Sequence, residues 1–217
     1  MNSPHRALWI KVCGLRTIAA VQAAAEAGAD AVGFVFHAQS PRCLEPETAR
    51  ELARSVPDGV AKVAVFLHPS QALLDAACAA VQPDYVQADV GDLVHLRVSQ
   101  DVRVLPVYRS GQVADMDLPR SRRFLFESGR SGSGELADWI EAARLARLAE
   151  LVLAGGLTTQ NVARAIEYVR PFGVDVSSGV ERSRGVKDEG LIRDFVRAAR
   201  AAEAALARAQ RQGEASR

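Results

Sequence analysis

The stretch WIKVCGLRTIAAVQAAAEAGADAVGFVF, residues 9–36, decides the fold that we expect for this chain. It opens with an apolar run typical of a strand and continues with an alanine-rich helix that begins after Thr17. Gly28 then stops the helix, and a second buried strand follows. A strand, a crossover helix and a second strand joined by short loops predict a parallel βαβ unit.

The same alternation continues to the end of the chain. Further strands are expected at AKVAVFL, DYVQ, VRVLPVY, RFLFES, ELVLAGG and FGVDVSSG, with the fourth and fifth helices short. The last helix is expected from Asp188 to about Arg208, with a frayed tail over about 209–217. Eight strand–helix units favour a closed (β/α)8 TIM barrel that forms a single domain. An open doubly wound sheet is the alternative, but its first turn would read GxGxxG, and VCGLRT does not.

Composition and charge argue against several classes of protein. Apolar residues make up 48% of the 217 residues and the net charge is +1, so we expect a globular chain with no long-range field to recruit nucleic acid or an anionic membrane. The arginines of PRSRRF are read as part of a solvated surface. Cys13, Cys43 and Cys78 are too few and too widely spaced for disulfides or zinc, so we expect reduced thiols in the cytoplasm. Neither a signal peptide nor a membrane span is indicated.

The chemistry of such a barrel is expected where the strands reach their carboxyl ends. The residues at those ends are Cys13 and Gly14 after strand one, Glu127 after strand six, Gly155 and Gly156 after strand seven, and Asp175, Ser177, Ser178 and Gly179 around the end of strand eight. This set combines groups that transfer protons with loops that offer backbone amides.

Two neighbouring loops predict a phosphate site. AGGLTTQNV places Gly155 and Gly156 after a strand, with a threonine pair at an expected helix start, and VSSG offers similar donors one strand later. Barrel enzymes often hold phosphate on the loops after strands seven and eight. The alternative is that the glycines only turn the chain and that Thr158 only caps a helix.

Cys13 and Glu127 are the candidate proton-transfer pair. A cysteine inside a helix, such as Cys78, is read as a small buried hydrophobe, whereas Cys13 lies at a strand end beside a glycine. Its thiolate could act as a base or a nucleophile. Glu127 ends an otherwise apolar strand, and burial favours the protonated form of a carboxyl group, which suits a proton donor. The alternative is that Glu127 only forms an ion pair with Arg130 or Lys11.

Several segments together resemble the phosphoribosylanthranilate isomerase family of tryptophan biosynthesis. They are KVCGLRT, AGADAVGFVFHAQSPRCLEPETA, AKVAVFL, SGSGELADW, VLAGGLTTQNVARAI and VRPFGVDVSSGVERSRGVKDEGLIRDFV, and they span nearly the whole chain. The final block, DVSSGVE followed by GVKD, is the most specific of them.

The resemblance implies a (β/α)8 barrel that isomerises a phosphoribosyl amine by an Amadori rearrangement, without metal or cofactor. The family's base falls on Cys13, and Glu127 stands where the family has its acid, an aspartate. The phosphate is expected on Gly155, Gly156, Ser177 and Ser178, to which we add the neighbouring Gly179. Arg42 and Asp175 match residues that contact the anthranilate and sugar portions. The expected partner is a phosphorylated sugar, with the chain a monomer or a homodimer.

Three departures from the family pattern leave other functions open. Glu127 is one methylene longer than aspartate. Ala88 and Asp89 stand in QADV where the family has QLHG, so a histidine is missing and a carboxylate is added, and Glu135 replaces a lysine. One alternative is therefore a paralogue that acts on another phosphoribosyl amine. The other is a sugar-phosphate binding barrel without catalytic activity.

Overall fold

Eight parallel strands close into a barrel in the order β1 to β8 in this computed structural model, which describes residues 7–111, 123–129 and 136–215. The strands are β1 Trp9–Cys13, β2 Ala31–Val35, β3 Ala61–Val65, β4 Tyr85–Asp89, β5 Arg103–Arg109, β6 Arg123–Glu127, β7 Glu150–Leu153 and β8 Gly173–Val176. The last strand pairs with the first, so the barrel has no exposed sheet edge. The (β/α)8 barrel predicted from the alternating sequence pattern is thus confirmed.

Helices follow most strands and cover the outside of the barrel. They are α1 Ile18–Glu26, α2 Pro46–Arg54, α3 Gln71–Val81, α4 Val90–Leu93, α5 Trp139–Ala146, α6 Val162–Val169 and α7 Glu189–Ala215. Side chains of Thr17, Ser70 and Asp138 accept hydrogen bonds from the first turns of α1, α3 and α5, which explains where these helices begin. The short fourth helix expected from the sequence is a single turn, and residues 112–122, which follow β5, lie outside the described residues.

The last helix is longer than the sequence analysis predicted. It continues to Ala215 rather than ending near Arg208, because its alanine, arginine and glutamine residues all favour a helix. Arg200 on this helix donates to the backbone oxygens of Leu8 and Gly28 and to the carboxylate of Asp30, so α7 fixes the start of the barrel. In the described parts of the chain, no helix is both long enough and apolar enough to cross a membrane.

A hairpin that the sequence analysis did not predict follows β8. A 3-10 turn over Ser178–Val180 leads into β9 Glu181–Ser183, which pairs antiparallel with β10 Val186–Lys187. Gly185 makes the turn with φ +81°, and a Cβ at this position would lie 2.8 Å from the backbone oxygen of Pro41. The hairpin therefore packs against the loop that follows β2.

Aromatic and charged side chains close the amino-terminal end of the barrel. The guanidinium of Arg123 lies 4.1 Å from the ring centre of Phe172 and 5.3 Å from that of Trp9. The same group donates to the hydroxyl of Tyr85 at 2.7 Å and to the Glu150 carboxylate at 3.1 Å. We call these five residues the barrel plug. Because they fill this end of the barrel, the site has to lie at the opposite end.

Alternation along the strands decides which side chains face the interior of the barrel. Gln87 lines a cavity at the carboxyl ends of the strands, whereas its neighbour Ala88 is completely buried in the apolar layer between sheet and helices. Of the two departures from the family pattern on the fourth strand, Ala88 therefore points away from the mouth of the barrel, to the opposite face of β4.

Candidate active site

A cavity of about 250 Å³ opens at the carboxyl ends of the strands and collects nearly all of the predicted site residues. Those that line it are Cys13, Arg42, Glu127, Gly155, Gly156, Asp175, Ser177 and Ser178. Gly179 does not line the cavity. Residues that are distant in sequence thus meet because every strand runs in the same direction around one closed sheet.

The thiol of Cys13 is almost completely buried, with 6% of the residue exposed. It lies against Gly33 on the neighbouring strand β2, where a Cβ would approach the Cys13 sulfur to 2.9 Å. Gly14 has φ +78°, and a Cβ there would meet the Arg42 side chain at 2.6 Å. The glycine that follows Cys13 therefore makes room for the aliphatic part of Arg42.

Lys11 lies two residues before Cys13 on the same face of β1 and is completely buried. Its ammonium group donates to Asp175 Oδ1 at 2.9 Å and also interacts with the Cys13 sulfur. Burial by itself would lower the pKa of Lys11, but the negative charge of Asp175, together with Cys13, raises it. Lys11 therefore stays protonated beside the thiol.

The same surroundings act on the acidity of Cys13. Burial raises the pKa of the thiol, Lys11 opposes this shift, Asp175 adds to it, and Lys187 opposes it, with a net increase. The thiol is therefore protonated at neutral pH, and its ionisation depends on the two neighbouring ammonium groups.

Glu127 forms an ion pair that the sequence analysis did not foresee. Arg109 Nη1 donates to Glu127 Oε1 at 2.7 Å, while Nη2 of the same guanidinium donates to Asp89 Oδ1, also at 2.7 Å. Arg109 lies opposite Glu127 in the register of β5 and β6. Lys11, one of the two partners considered, is engaged with Asp175 instead, and Arg130 lies outside the described residues, as does Glu135.

The loop after β7 contains two consecutive glycines with left-handed backbone, and the helix that follows it begins later than expected. Gly155 and Gly156 both have positive φ angles, of 84° and 63°. Asn161 closes the following turn, since its side chain donates to Gly156 O at 2.9 Å and accepts from Thr158 N at 2.8 Å. Helix α6 begins at Val162, so the threonine pair lies in a turn rather than at the helix start.

Gly179 holds the two donor loops together. A Cβ at this position would lie 1.9 Å from the backbone oxygen of Leu157 and 3.1 Å from Thr158 Cα. No side chain fits such a gap between two backbones. Gly179 therefore acts through close packing of the loop after β8 against the loop after β7, which places both sets of amides at one end of the cavity.

Buried charges connect these loops to the rest of the site. Lys187 Nζ donates to Ser177 O at 2.7 Å and to Glu181 Oε1 at 2.9 Å, and Ser177 Oγ donates to Cys13 O at 3.2 Å. Arg42 forms a fork with Glu181 through Nε at 2.6 Å and Nη2 at 3.0 Å. The hairpin thus fixes both Arg42 and the loop that carries Ser177.

Arg42 and its neighbours determine the charge state of Glu181. Burial by itself would raise the pKa of Glu181, but the hydrogen bonds from Arg42 and Gly185 and the Lys187 ammonium lower it to about 2. The carboxylate is therefore ionised at neutral pH and neutralises one of the two cations that face the loops.

Lys11, Arg109 and Gln87 are site residues that the sequence analysis did not identify. The sequence does contain signals for two of them. Lys11 lies two residues before Cys13, so the alternation of side chains along β1 predicts that both face the same side, and Arg109 lies at the end of β5, next to the strand that ends in Glu127. Gln87 lines the cavity, and its Oε1 atom is buried without a hydrogen-bond partner in the described structure. A buried oxygen of this kind favours a ligand with a hydrogen-bond donor that can reach it.

The arrangement supports acid–base chemistry on a phosphorylated ligand. A thiol beside a fixed ammonium faces the same cavity as a carboxyl group on the sixth strand, and amide-rich loops flank them. In the residues that the structure describes, no group of three or more histidine, cysteine, aspartate or glutamate side chains could hold a metal ion.

Comparison with known proteins gives a consistent result at the level of sequence. The family model described as N-(5'-phosphoribosyl)anthranilate (PRA) isomerase matches residues 10–198. The N-(5'-phosphoribosyl)anthranilate isomerase of Paracoccus denitrificans is 42% identical over 206 residues, covering 88% of this chain and 96% of that protein. The enzyme of the same name from Azorhizobium caulinodans is 41% identical over 217 residues, and the match covers 92% of this chain and 94% of that protein.

Solved structures agree with these relatives. The phosphoribosyl anthranilate isomerase of Thermotoga maritima superimposes with a TM-score of 0.79 at 31% identity, covering 90% of this chain and all of that one. A phosphoribosyl anthranilate isomerase in complex with reduced 1-(o-carboxyphenylamino)-1-deoxyribulose 5-phosphate gives a TM-score of 0.74 at 30% identity, with the same coverage.

Proposed function

Because the chain belongs to the N-(5'-phosphoribosyl)anthranilate isomerase family, we propose that Cys13 and Glu127 are the base and the acid of its reaction. The chain is the isomerase of tryptophan biosynthesis that converts N-(5'-phosphoribosyl)anthranilate into 1-(2-carboxyphenylamino)-1-deoxyribulose 5-phosphate. The reaction is an aldose–ketose isomerisation in which atoms are only rearranged. It requires one group that gives a proton and one that takes a proton.

Glu127 donates its proton to the furanose ring oxygen, and the bond from this oxygen to C1' breaks to give an iminium ion. The Cys13 thiolate then removes the proton from C2', and the electrons of that C–H bond neutralise the iminium nitrogen to form an enolamine. The enolamine then takes a proton at C1' and loses the proton of its C2' hydroxyl, so that the ketone forms with no net change in the number of protons. Lys11 supports the second step because its ammonium stabilises the thiolate that removes the proton.

The remaining residues hold the two ends of the substrate. Backbone amides of the loops with Gly155, Gly156 and Ser178 face the phosphate group, and Gly179 keeps these loops together. Arg42 donates to Glu181 through Nε and Nη2, so its Nη1 group is left to bind the anthranilate carboxylate. Gln87 and Asp175 line the space between the two ends.

The observation that carries the assignment is that the Cys13 sulfur, next to a permanent ammonium, and the Glu127 carboxyl line one cavity beside the paired glycine-rich loops. The departures at strand four give little support to a different substrate, because Ala88 faces away from the cavity and Asp89 is engaged by Arg109. Neither residue presents an unsatisfied group that would require a new partner in the ligand.

The assignment is tested with the purified protein and N-(5'-phosphoribosyl)anthranilate, whose fluorescence reports turnover. Cys13→Ala and Glu127→Gln should each lower kcat by about a hundredfold or more, because each removes one proton-transfer step. Cys78→Ala, on α3 and away from the cavity, is the matched control and should keep wild-type kcat. Wild-type turnover in Cys13→Ala would show that the base is another group.

We also predict the oligomeric state, the partners and the location of the protein. We expect the chain to act as a monomer or a homodimer and to bind no nucleic acid. Since its three cysteines are free, we also expect it to work in the reducing cytoplasm.

A further inference from the structure

Three consecutive strands end in a carboxylate, a guanidinium and a second carboxylate. Asp89 ends β4, Arg109 ends β5 and Glu127 ends β6. The Arg109 side chain is 12% exposed, and those of Asp89 and Glu127 are 23% and 11% exposed. This cluster, which we call the carboxylate–arginine triad, is thus largely shielded from water.

The two carboxylates share the cation unequally. Asp89 is bound side-on, with Arg109 Nη2 at 2.7 Å from Oδ1 and 3.0 Å from Oδ2 and with Nε at 3.2 Å from Oδ2. Arg109 contacts Glu127 through one hydrogen bond only, from Nη1 to Oε1 at 2.7 Å. The guanidinium plane is therefore fixed mainly by Asp89, and Arg109 in turn fixes one oxygen of Glu127.

This arrangement matters for a proton donor. A carboxylate that faces an arginine alone is held in its ionised form, which cannot donate a proton. In the triad the Asp89 charge already neutralises Arg109, so these three side chains together carry one net negative charge when Glu127 is ionised and none when Glu127 is protonated. Protonation of Glu127 therefore costs less than it would beside an arginine without Asp89.

We infer that Asp89 and Arg109 are positioning residues for Glu127: Arg109 fixes Oε1, and Asp89 offsets the arginine charge so that Glu127 retains the proton it donates. This inference rests on the proposed role of Glu127 as the acid. It also explains how this chain uses a glutamate, one methylene longer than aspartate, together with an aspartate on the fourth strand. The longer side chain meets a cation that is itself held by the added carboxylate.

Other charged and titratable groups share the cavity or its rim with the triad. Those that line the same cavity are Cys13, His37, Arg42, Asp175 and Arg184. On the rim, His68 Nδ1 lies 2.8 Å from Asp92 Oδ1, and this contact raises the pKa of the imidazole, with a smaller contribution from Asp89. His68 has a left-handed backbone with φ 48°, so His68→Asn is a tolerated control.

The test measures the protonation of Glu127 directly and separately from turnover. Carbon-13 NMR follows the side-chain carboxyl resonance that disappears in Glu127→Gln. Asp89→Asn should lower the pH midpoint of this resonance by about one unit, because Arg109 then acts on Glu127 without compensation. Arg109→Met should raise the midpoint by about one unit, because two carboxylates then face each other without a cation. His68→Asn should leave it unchanged.

Turnover of the same variants separates this inference from the assignment on which it rests. Asp89→Asn and Arg109→Met should each lower kcat by about tenfold with KM changed by less than about threefold, since the acid is mispositioned while the binding groups remain. Equal midpoints in wild type, Asp89→Asn and Arg109→Met overturn the inference, even if Glu127→Gln is inactive. A Glu127→Gln variant with wild-type kcat overturns the proposed acid itself, and the inference with it.

Discussion

Lys11 and Cys13 illustrate how one buried cation can set the chemistry of a neighbouring side chain. A lysine without solvent exposure is costly unless it is paired, and here it is paired with Asp175 at 2.9 Å. The pairing keeps the ammonium charged next to a thiol whose pKa is raised by burial. Ionisation of the Cys13 thiol therefore depends on a residue that is not among those lining the cavity.

Removing this cation should make Cys13 harder to ionise. In a Cys43→Ser/Cys78→Ser background, Lys11→Met should move the pH midpoint for alkylation of Cys13 by iodoacetamide upward by about one unit or more. Because the rate follows the thiolate, alkylation at a fixed pH below both midpoints should slow by about tenfold. The measurement is the rate of modification from pH 7 to pH 10, in protein that still unfolds cooperatively.

Lys62→Met is the matched control for this experiment. Lys62 lies on β3 between the inward-facing Ala61 and Val63, so its side chain points away from the interior of the barrel. Its removal should leave the alkylation midpoint where it is in wild type. A midpoint that is the same in Lys11→Met and in wild type would mean that Lys11 has no electrostatic role at the thiol.

At the scale of elements, the hairpin β9–β10 connects the loop after β2, which carries Arg42, to the loop after β8, which carries Ser177. Glu181 at its start binds Arg42 in a fork, accepts from Gly185 N at 2.9 Å and pairs with Lys187. The side chain of Glu181 is 4% exposed. The Glu181 carboxylate, with its three partners Arg42, Gly185 and Lys187, thus holds this short hairpin in place.

Loss of this carboxylate should destabilise the protein in a pH-dependent way. The folded protein lowers the pKa of Glu181 to about 2, so the ionised group stabilises the fold fully above its ordinary value near 4.5. This contribution disappears as the pH falls through about 2. Glu181→Gln should therefore lower the free energy of unfolding by about 2 kcal/mol at pH 7, because Arg42 and Lys187 lose a shared buried partner.

Urea unfolding of wild type and Glu181→Gln between pH 7 and pH 2 measures this difference. The two free energies of unfolding should converge as the pH approaches 2. Glu47→Gln is a suitable control, because the Glu47 side chain is 78% exposed and its ion pair with Arg50 contributes little. A difference between wild type and Glu181→Gln that stays constant down to pH 2 would contradict the electrostatic explanation.

At the scale of the whole molecule, the two ends of the barrel have different tasks. The barrel plug closes the amino-terminal end around Arg123, and the cavity with Cys13 and Glu127 opens at the other end. A buried apolar cluster that includes Val63, Leu105, Leu125 and Val152 fills the interior of the barrel. Changes in the plug should therefore affect stability without affecting catalysis.

Arg123→Met should lower the free energy of unfolding by about 2 kcal/mol or more, since Glu150 and the Tyr85 hydroxyl lose a common donor and the aromatic rings lose a cation. Its kcat and KM should stay within about twofold of wild type. Arg103→Met is the control: this arginine lies 4.2 Å from the Tyr85 ring centre but is solvent-exposed, so its loss should cost only about 0.5 kcal/mol. A large loss of turnover in Arg123→Met at unchanged stability would show that the two ends are coupled.

The amino-acid sequence by itself determined the barrel and the positions of its strand ends. Alternating apolar runs and helix starts such as Thr17 are local features, so they predict the order of the strands and helices of the barrel and, for α1, the residue at which the helix begins. In a closed parallel sheet all strand ends meet, and this geometry alone brings Cys13, Glu127 and Asp175 to one cavity. The roles of these residues remain proposals, but their proximity followed from chain order.

Only the tertiary structure decided which groups touch. The ammonium of Lys11 beside Cys13, Arg109 between Asp89 and Glu127, and the contact of Gly179 with the loop after β7 all depend on strand register and side-chain packing across elements. Local patterns do not contain this information, because hydrogen bonds between elements depend on distances of a few tenths of an ångström that the whole closed sheet sets at once.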